Sequence, residues 1–189
     1  MRKKVAILNL NNSNIKSIYS AIKMIGFEPV LIEKKNQLNL YNYMVLPGVG
    51  TFKSAINFLK KKDLIKEIKE FNSNKKKILA ICLGMQILVT TGNEFGKASG
   101  LNIIEGKVIP FGKNKINLGW CKINFKKQNK IKNFFGYFVH SYQVITKQKN
   151  IIQSTSEFEN SNFISSYRQD NILGCQFHPE KSGKEGLAL

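Results

Sequence analysis

Two short segments, far apart in the chain, carry the side chains of a covalent acyl-transfer site. The first is Ala80-Ile81-Cys82-Leu83-Gly84-Met85-Gln86, and the second is Gln176-Phe177-His178-Pro179-Glu180-Lys181-Ser182. Cys82 supplies a nucleophile, His178 a base and Glu180 a carboxylate to orient that base, the three parts such chemistry needs. Cys82 follows the apolar run Ile78 to Ile81 and precedes Leu83 to Leu88, which has helical character. A strand-to-helix turn presents the thiol at the carboxyl edge of a sheet, where ligands of open α/β folds bind. Ala80 and Gly84 are the small flanking residues of a nucleophile elbow, with sulfur in place of the serine oxygen. The helix N-terminus beyond favours thiolate, and its backbone N–H groups can hold an oxyanion. His178 and Glu180 are expected to end a strand over Ile172–Phe177. Lying two apart on extended chain they face the same way, and Pro179 biases His178 toward that conformation. The chain has only two histidines, His140 being the other. Finding one of them in this setting, with a cysteine elbow elsewhere, predicts an enzyme.

The elements that must position these groups are legible from periodicity. Val5–Leu8, Pro29–Ile32, Tyr43–Leu46 and Ile78–Ile81 read as buried strands. Between them, helices are predicted over Asn14–Ile25, through Phe52, Ala55, Ile56 and Leu59, and over Leu64–Phe71. Gly26 closes the first helix. Alternation of this kind implies an α/β fold, an open, mostly parallel twisted sheet with helices on both faces. From Ile103 onward, strand-like runs follow with little helix: Ile103–Phe111, Cys121–Phe125, Tyr137–Ile145, Phe163–Tyr167 and Ile172–Phe177. They are expected to extend the same sheet in antiparallel or mixed fashion, within one domain over residues 1–189.

Composition excludes several classes. The chain is 42% hydrophobic and 22% charged, as for an ordinary globular protein. The apolar run after the basic start is only a strand's length, and none approaches the ~18 residues of a membrane span. Three cysteines without Cys-x-x-Cys spacing argue against a disulfide framework or a zinc site, and place the protein in reducing cytoplasm. Cys121 and Cys175 read as structural thiols. The net charge of +18 comes almost wholly from Lys, with Arg2 and Arg168 the only arginines. No DNA- or RNA-binding signature accompanies the Lys runs, so solvated Lys faces are expected rather than a nucleic-acid partner.

At these motifs the chain resembles the class I glutamine amidotransferases, and among them the glutaminase subunits of imidazole glycerol phosphate synthase. The resemblance spans nearly the whole length. It is carried by Pro47-Gly48-Val49-Gly50, Cys82 to Gln86, Glu94-Phe95-Gly96, Gly119-Trp120, Tyr137 to Tyr142 and Phe177 to Ser182. It implies release of ammonia from glutamine by Cys82, His178 and Glu180, without cofactor or metal. An oxyanion would be held by the Leu83 amide and an amide among Gly48, Val49 and Gly50. Gln86, Glu94, His140, Ser141 and Tyr142 match positions that surround the bound glutamine. The implied partner is a (β/α)8-barrel synthase subunit forming a heterodimer, with Gly119-Trp120 part of the docking face. The chain departs from the family at Asn9–Asn14, Ala80 and Ile116–Cys121, and it stops at Leu189 where relatives continue through a closing helix. The alternatives are a paralogue feeding another barrel synthase, such as one amidinating a nucleotide sugar, and a non-catalytic binding subunit.

Overall fold

The computed structural model describes residues 2–10, 14–129 and 131–189. The first half forms as its periodicity dictates. Strands β1 (Lys4–Leu8), β2 (Glu28–Ile32), β3 (Tyr43–Leu46) and β4 (Lys77–Ile81) run parallel. Helix α1 (Ile15–Met24) connects β1 to β2, and α2 (Phe52–Lys61) and α3 (Leu64–Ser73) connect β3 to β4. Successive side chains of β1 enter different cores. Ala6 and Leu8 pack with Phe52, Leu59 and Phe71 of α2 and α3, whereas Val5 and Ile7 pack with Ile18 and Ile22 of α1. Burial on both faces is the reason these strands are apolar without a break. The Thr51 side chain accepts the Ser54 N–H at 3.2 Å and so caps α2. Of the departures between Asn9 and Asn14, those at Asn11, Asn12 and Ser13 lie outside the described residues.

After β4 come α4 (Leu83–Ile87), β5 (Val89–Asn93), β6 (Lys97–Ser99), β7 (Ile104–Pro110), β8 (Asn117–Phe125) and β9 (Phe134–His140). β10 (Tyr142–Ile145), β11 (Ile152–Phe158), β12 (Ser161–Gln169), β13 (Ile172–Cys175) and α5 (Gly183–Leu187) follow. The main sheet has nine strands in the order β2-β1-β3-β4-β13-β12-β11-β8-β9. β13 pairs parallel to β4, and every neighbour beyond it is antiparallel. That part of the mixed extension is as expected.

The remaining strands correct the expectation of one sheet, because β10-β7-β5-β6 form a separate four-stranded sheet. The run Tyr137–Ile145 is two strands, broken at Ser141. The Ser141 carbonyl accepts the Phe111 N–H at 3.0 Å, and His140 Nδ1 lies 2.8 Å from the Tyr142 carbonyl. The chain therefore leaves β8 and pairs with β7. β5, β6 and β11 had no clear signal. β11 is rich in Ser and Thr, and Ser154 and Ser156 are buried, so hydrophobic alternation hides it. No helix among the described residues is long and apolar enough to cross a membrane.

Candidate active site

β4 delivers Cys82 into a backbone conformation with φ 53° and ψ −112°, a left-handed geometry that a cysteine adopts only under constraint. The constraint is visible. The Cys82 N–H donates to the Cys175 carbonyl at 2.7 Å, and its own carbonyl accepts the Gln86 N–H at 3.2 Å. Gly84 sits so close to β3 that an added Cβ would lie 1.8 Å from the Leu46 carbonyl oxygen. Only glycine fits there, which is the physical content of the elbow spacing. The turn ends in the short helix α4, as expected, though it stops at Ile87, where β5 takes over.

His178 and Glu180 meet by a different route from the one expected. β13 ends at Cys175, His178 is extended at φ −96° and ψ 96°, and Pro179–Lys181 form a 3-10 turn. The turn, rather than strand alternation, carries Glu180 back, and its Oε1 accepts the His178 Nδ1–H at 2.8 Å. Proline at the first position of that turn makes the reversal immediate. With Nδ1 so committed, Nε2 is buried with no hydrogen bond of standard geometry. Burial pulls the imidazole down, but bonding and charge from Cys82 and Glu180 outweigh it and raise His178 from 6.5 to about 10. Cys82 and Glu180 thus both favour the charged form of the imidazole. Ser182 clamps the loop to β9: its Oγ donates to the His178 carbonyl at 2.6 Å and accepts the Tyr137 N–H at 3.0 Å.

The other expected residues divide into groups. Gly48 packs against the elbow, where an added Cβ would lie 2.8 Å from Leu83 Cβ. Its carbonyl accepts the Leu83 N–H at 3.3 Å, so the expected oxyanion donor is already engaged. Val49 is half-buried and Gly50, at φ 104°, is exposed. Glu94 accepts the Phe52 N–H at 2.5 Å; burial raises its carboxyl and that bond lowers it. Burial and then the Glu94 charge raise the Tyr142 hydroxyl, which marks the two as neighbours. Ser141 lies at the bend between β9 and β10.

Gln86 and His140 are turned inward. Gln86 Nε2 donates to the Tyr142 carbonyl at 2.9 Å and to Gln176 Oε1 at 3.0 Å. Burial lowers His140 to about 4, against the raising effect of the Tyr142 carbonyl, so its ring is neutral. Nδ1–H then donates to that carbonyl, and Nε2 accepts from Asn117 Nδ2 at 3.1 Å. Two participants had not been singled out. Gln176 Nε2 lies 3.7 Å from Cys82 Sγ, and Asn117 Oδ1 accepts the Cys121 thiol at 3.3 Å. Gln176 stands two residues before His178, so the spacing argument that linked His178 to Glu180 would also have found Gln176. Cys175 is fully buried, as a structural thiol. Among the described residues no group of three His, Cys, Asp or Glu is arranged to hold a metal ion.

β9 passes close to Cys82, and its Val139 carbonyl lies 3.9 Å from Cys82 Sγ. The outer face of β8 and β9 exposes Leu118, Trp120, Phe135 and Val139, Trp120 at 58%, with exposed Lys122 opposite Phe135. In register, Leu118 opposes Val139 and Trp120 opposes Tyr137, so the patch is continuous across both strands. Lys181, beside Glu180, lies 5.5 Å over the Tyr137 ring.

A cysteine elbow at the end of β4 and a His-Pro-Glu turn just after the neighbouring parallel strand β13 place the candidate groups at one edge of an α/β sheet. The model of the family "Glutamine amidotransferase class-I" matches residues 6–188, and the chain belongs to that family. "Imidazole glycerol phosphate synthase subunit HisH 2" of Methanococcus maripaludis is 40% identical over 195 residues, 98% of this chain and 96% of that protein. "Imidazole glycerol phosphate synthase subunit HisH" of Pelagibacter ubique is 39% identical over 202 residues, covering 98% and 96% of the two chains. Among solved structures, "Structure of PurLQS from Thermotoga maritima" superposes with a TM-score of 0.80 at 17% identity, over 99% of this chain and 95% of that one. "Crystal structure of glutamine amidotransferase" gives a TM-score of 0.79 at 17% identity, over 97% and 94%. At that identity the two structures bear on the fold alone.

Proposed function

We propose that the chain is the glutaminase subunit of imidazole glycerol phosphate synthase, working in the cytoplasm as a heterodimer with a (β/α)8-barrel subunit. One observation supports the reading most: Cys82 Sγ lies 3.9 Å from the Val139 carbonyl of β9, a strand whose outer face, with that of β8, exposes a run of apolar side chains. Such a face is what a partner would cover when it receives ammonia made just behind it. Near full-length likeness to subunits carrying that name supports the pathway.

In this mechanism Cys82 sulfur, as thiolate, attacks the side-chain carboxamide carbon of glutamine and forms a tetrahedral intermediate. His178, protonated at Nε2, gives that proton to the departing nitrogen, and ammonia leaves with the C–N bond pair. The resulting γ-glutamyl thioester is cleared by water, whose proton returns to His178 Nε2. Glutamate leaves and the thiolate is restored. Glu180 holds Nδ1–H throughout, keeping Nε2 toward the sulfur. Glu94, Ser141 and Tyr142 are proposed to hold the amino-acid end of glutamine, while Gln86 and His140 act from behind by fixing the Tyr142 carbonyl.

The oxyanion site is closed in this conformation, since the Gly48 carbonyl occupies the Leu83 N–H. Rotation of the Gly48–Val49 peptide would withdraw the carbonyl and present the Val49 N–H beside that of Leu83. The partner is proposed to drive this step, and Gly48 and Gly50 give the segment the freedom for it. The test is glutaminase activity with the synthase barrel from the same genome and its formimino nucleotide substrate, with Cys82→Ala as control. A steep, Cys82-dependent rise supports the reading. Activity only with a different barrel assigns the chain to another acceptor, and a rate indifferent to either barrel refutes partner control.

A further inference from the structure

We propose that Gln176 is a positioning residue for the nucleophile, its side-chain amide locked by Gln86 in the orientation that delivers an N–H to Cys82 sulfur. The inference rests on Cys82 being the nucleophile and adds a component to that site. Gln176 is fully buried on the segment between β13 and His178. Its Nε2 lies 3.7 Å from Cys82 Sγ, within the range of a hydrogen bond to sulfur.

The orientation of the amide follows from an acceptor two links away. The Tyr142 carbonyl can only accept, so Gln86 must present its nitrogen there, at 2.9 Å. The same nitrogen lies 3.0 Å from the Gln176 side chain, so the nearer Gln176 atom must be the oxygen. Its nitrogen is thereby left facing sulfur. The carbonyl that starts this chain is itself held by His140 Nδ1–H at 2.8 Å, and neutral His140 is held by Asn117 at 3.1 Å. A main-chain carbonyl on β10 thus determines which end of Gln176 meets the nucleophile. A donor at that place stabilises sulfur as the anion and holds it on the side from which glutamine is attacked.

The titratable groups on the surrounding elements include His178 and Glu180 after β13, Cys175 on β13, Tyr167 on β12, and Tyr137, His140 and Tyr142 on β9 and β10. Gln176→Leu removes both the oxygen that Gln86 needs and the N–H directed at sulfur, and Gln176→Met does the same with an unbranched chain of nearly the same length. The readout is the rate of Cys82 alkylation by iodoacetamide in the full chain, followed on the Cys82 peptide by mass spectrometry. Both variants are expected to react about tenfold more slowly at pH 7. Glutaminase activity with the barrel should lose kcat by a similar factor while KM for glutamine holds. An alkylation rate for Gln176→Met that matches the wild type overturns the inference and leaves Gln176 a core amide.

A second measurement does not depend on how the variants fold. In Cys82→Ala the Gln176 side-chain amide protons lose their acceptor, and their NMR resonances should move upfield. Unmoved resonances overturn the inference. If Cys82→Ala retains glutaminase activity, the nucleophile assignment itself falls, a separate outcome from either of these.

Discussion

The two histidines should titrate far apart, and removing one sulfur atom should move only one of them. His178 is raised from 6.5 to about 10 and His140 lowered from 6.5 to about 4. The first displacement corresponds to about 5 kcal/mol in favour of imidazolium, given about 1.4 kcal/mol per pH unit. Burial opposes it, so the Cys82 and Glu180 contributions together exceed that figure. Cys82 heads the raising causes, ahead of Glu180, so Cys82→Ala should lower His178 clearly while leaving the Glu180 contribution in place. With only two histidines in the chain, both imidazoles can be followed by NMR between pH 7 and 10.5. In the wild type His178 should remain charged through neutral pH and lose its proton near 10, with His140 neutral throughout. In Cys82→Ala the His178 transition should fall clearly below the wild-type one. A wild-type His178 titrating near 6.5, or one that ignores the loss of Cys82, would refute the coupling between the two side chains.

Three further predictions address the scaffold. Gly84→Ala places a methyl group against the Leu46 carbonyl, where neither backbone can yield, and should cost about 3 kcal/mol in urea unfolding along with glutaminase activity. His140 has a folded value below its unfolded one, so its contribution is complete above pH 6.5 and is lost as pH falls toward about 4. That loss is worth about 3 kcal/mol at full extent, and urea midpoints for His140→Gln should show an acid slope shallower by this amount. Ser182→Ala frees the His178 carbonyl and the Tyr137 N–H together, and should lower stability by about 2 kcal/mol and reduce kcat while KM for glutamine holds.

The parallel half was legible because each strand is buried on both faces and each helix shows its buried stripe. Phe52, Ala55, Ile56 and Leu59 fall on one side of α2, and β3 and the other early strands lie within a residue of their expected starts. The elbow was legible for a steric reason, since Gly84 has no space for a side chain. What stayed hidden depends on contacts remote in sequence. The division into two sheets turns on the Ser141 bend and its bond to Phe111, which no local pattern announces. β11 is buried through serines, so its core side chains resemble a loop's. The polarity of Gln86 and His140 was invisible for the same reason: both match motif positions, but their partners lie on other strands. Sequence spacing locates reactive atoms more readily than it orients amides and imidazoles.

The departures from the family pattern can be judged by which constraints they touch. A left-handed cysteine costs on the order of 1–3 kcal/mol, and it persists only if its surroundings leave it no alternative. Here the anchors are the Cys175 carbonyl, the missing Cβ at Gly84 and the helix carbonyl of Met85, which accepts the Tyr167 hydroxyl at 2.8 Å. None of these lies in Asn9–Asn14 or Ile116–Cys121. Ala80 faces the fully buried core under α2 and α3, where its small size is retained. Asn117 and Cys121 have instead become linked, thiol to amide to His140, on the strand that carries the exposed Trp120. The changes around β8 therefore leave the nucleophile's geometry intact and alter the polar support beneath the apolar face.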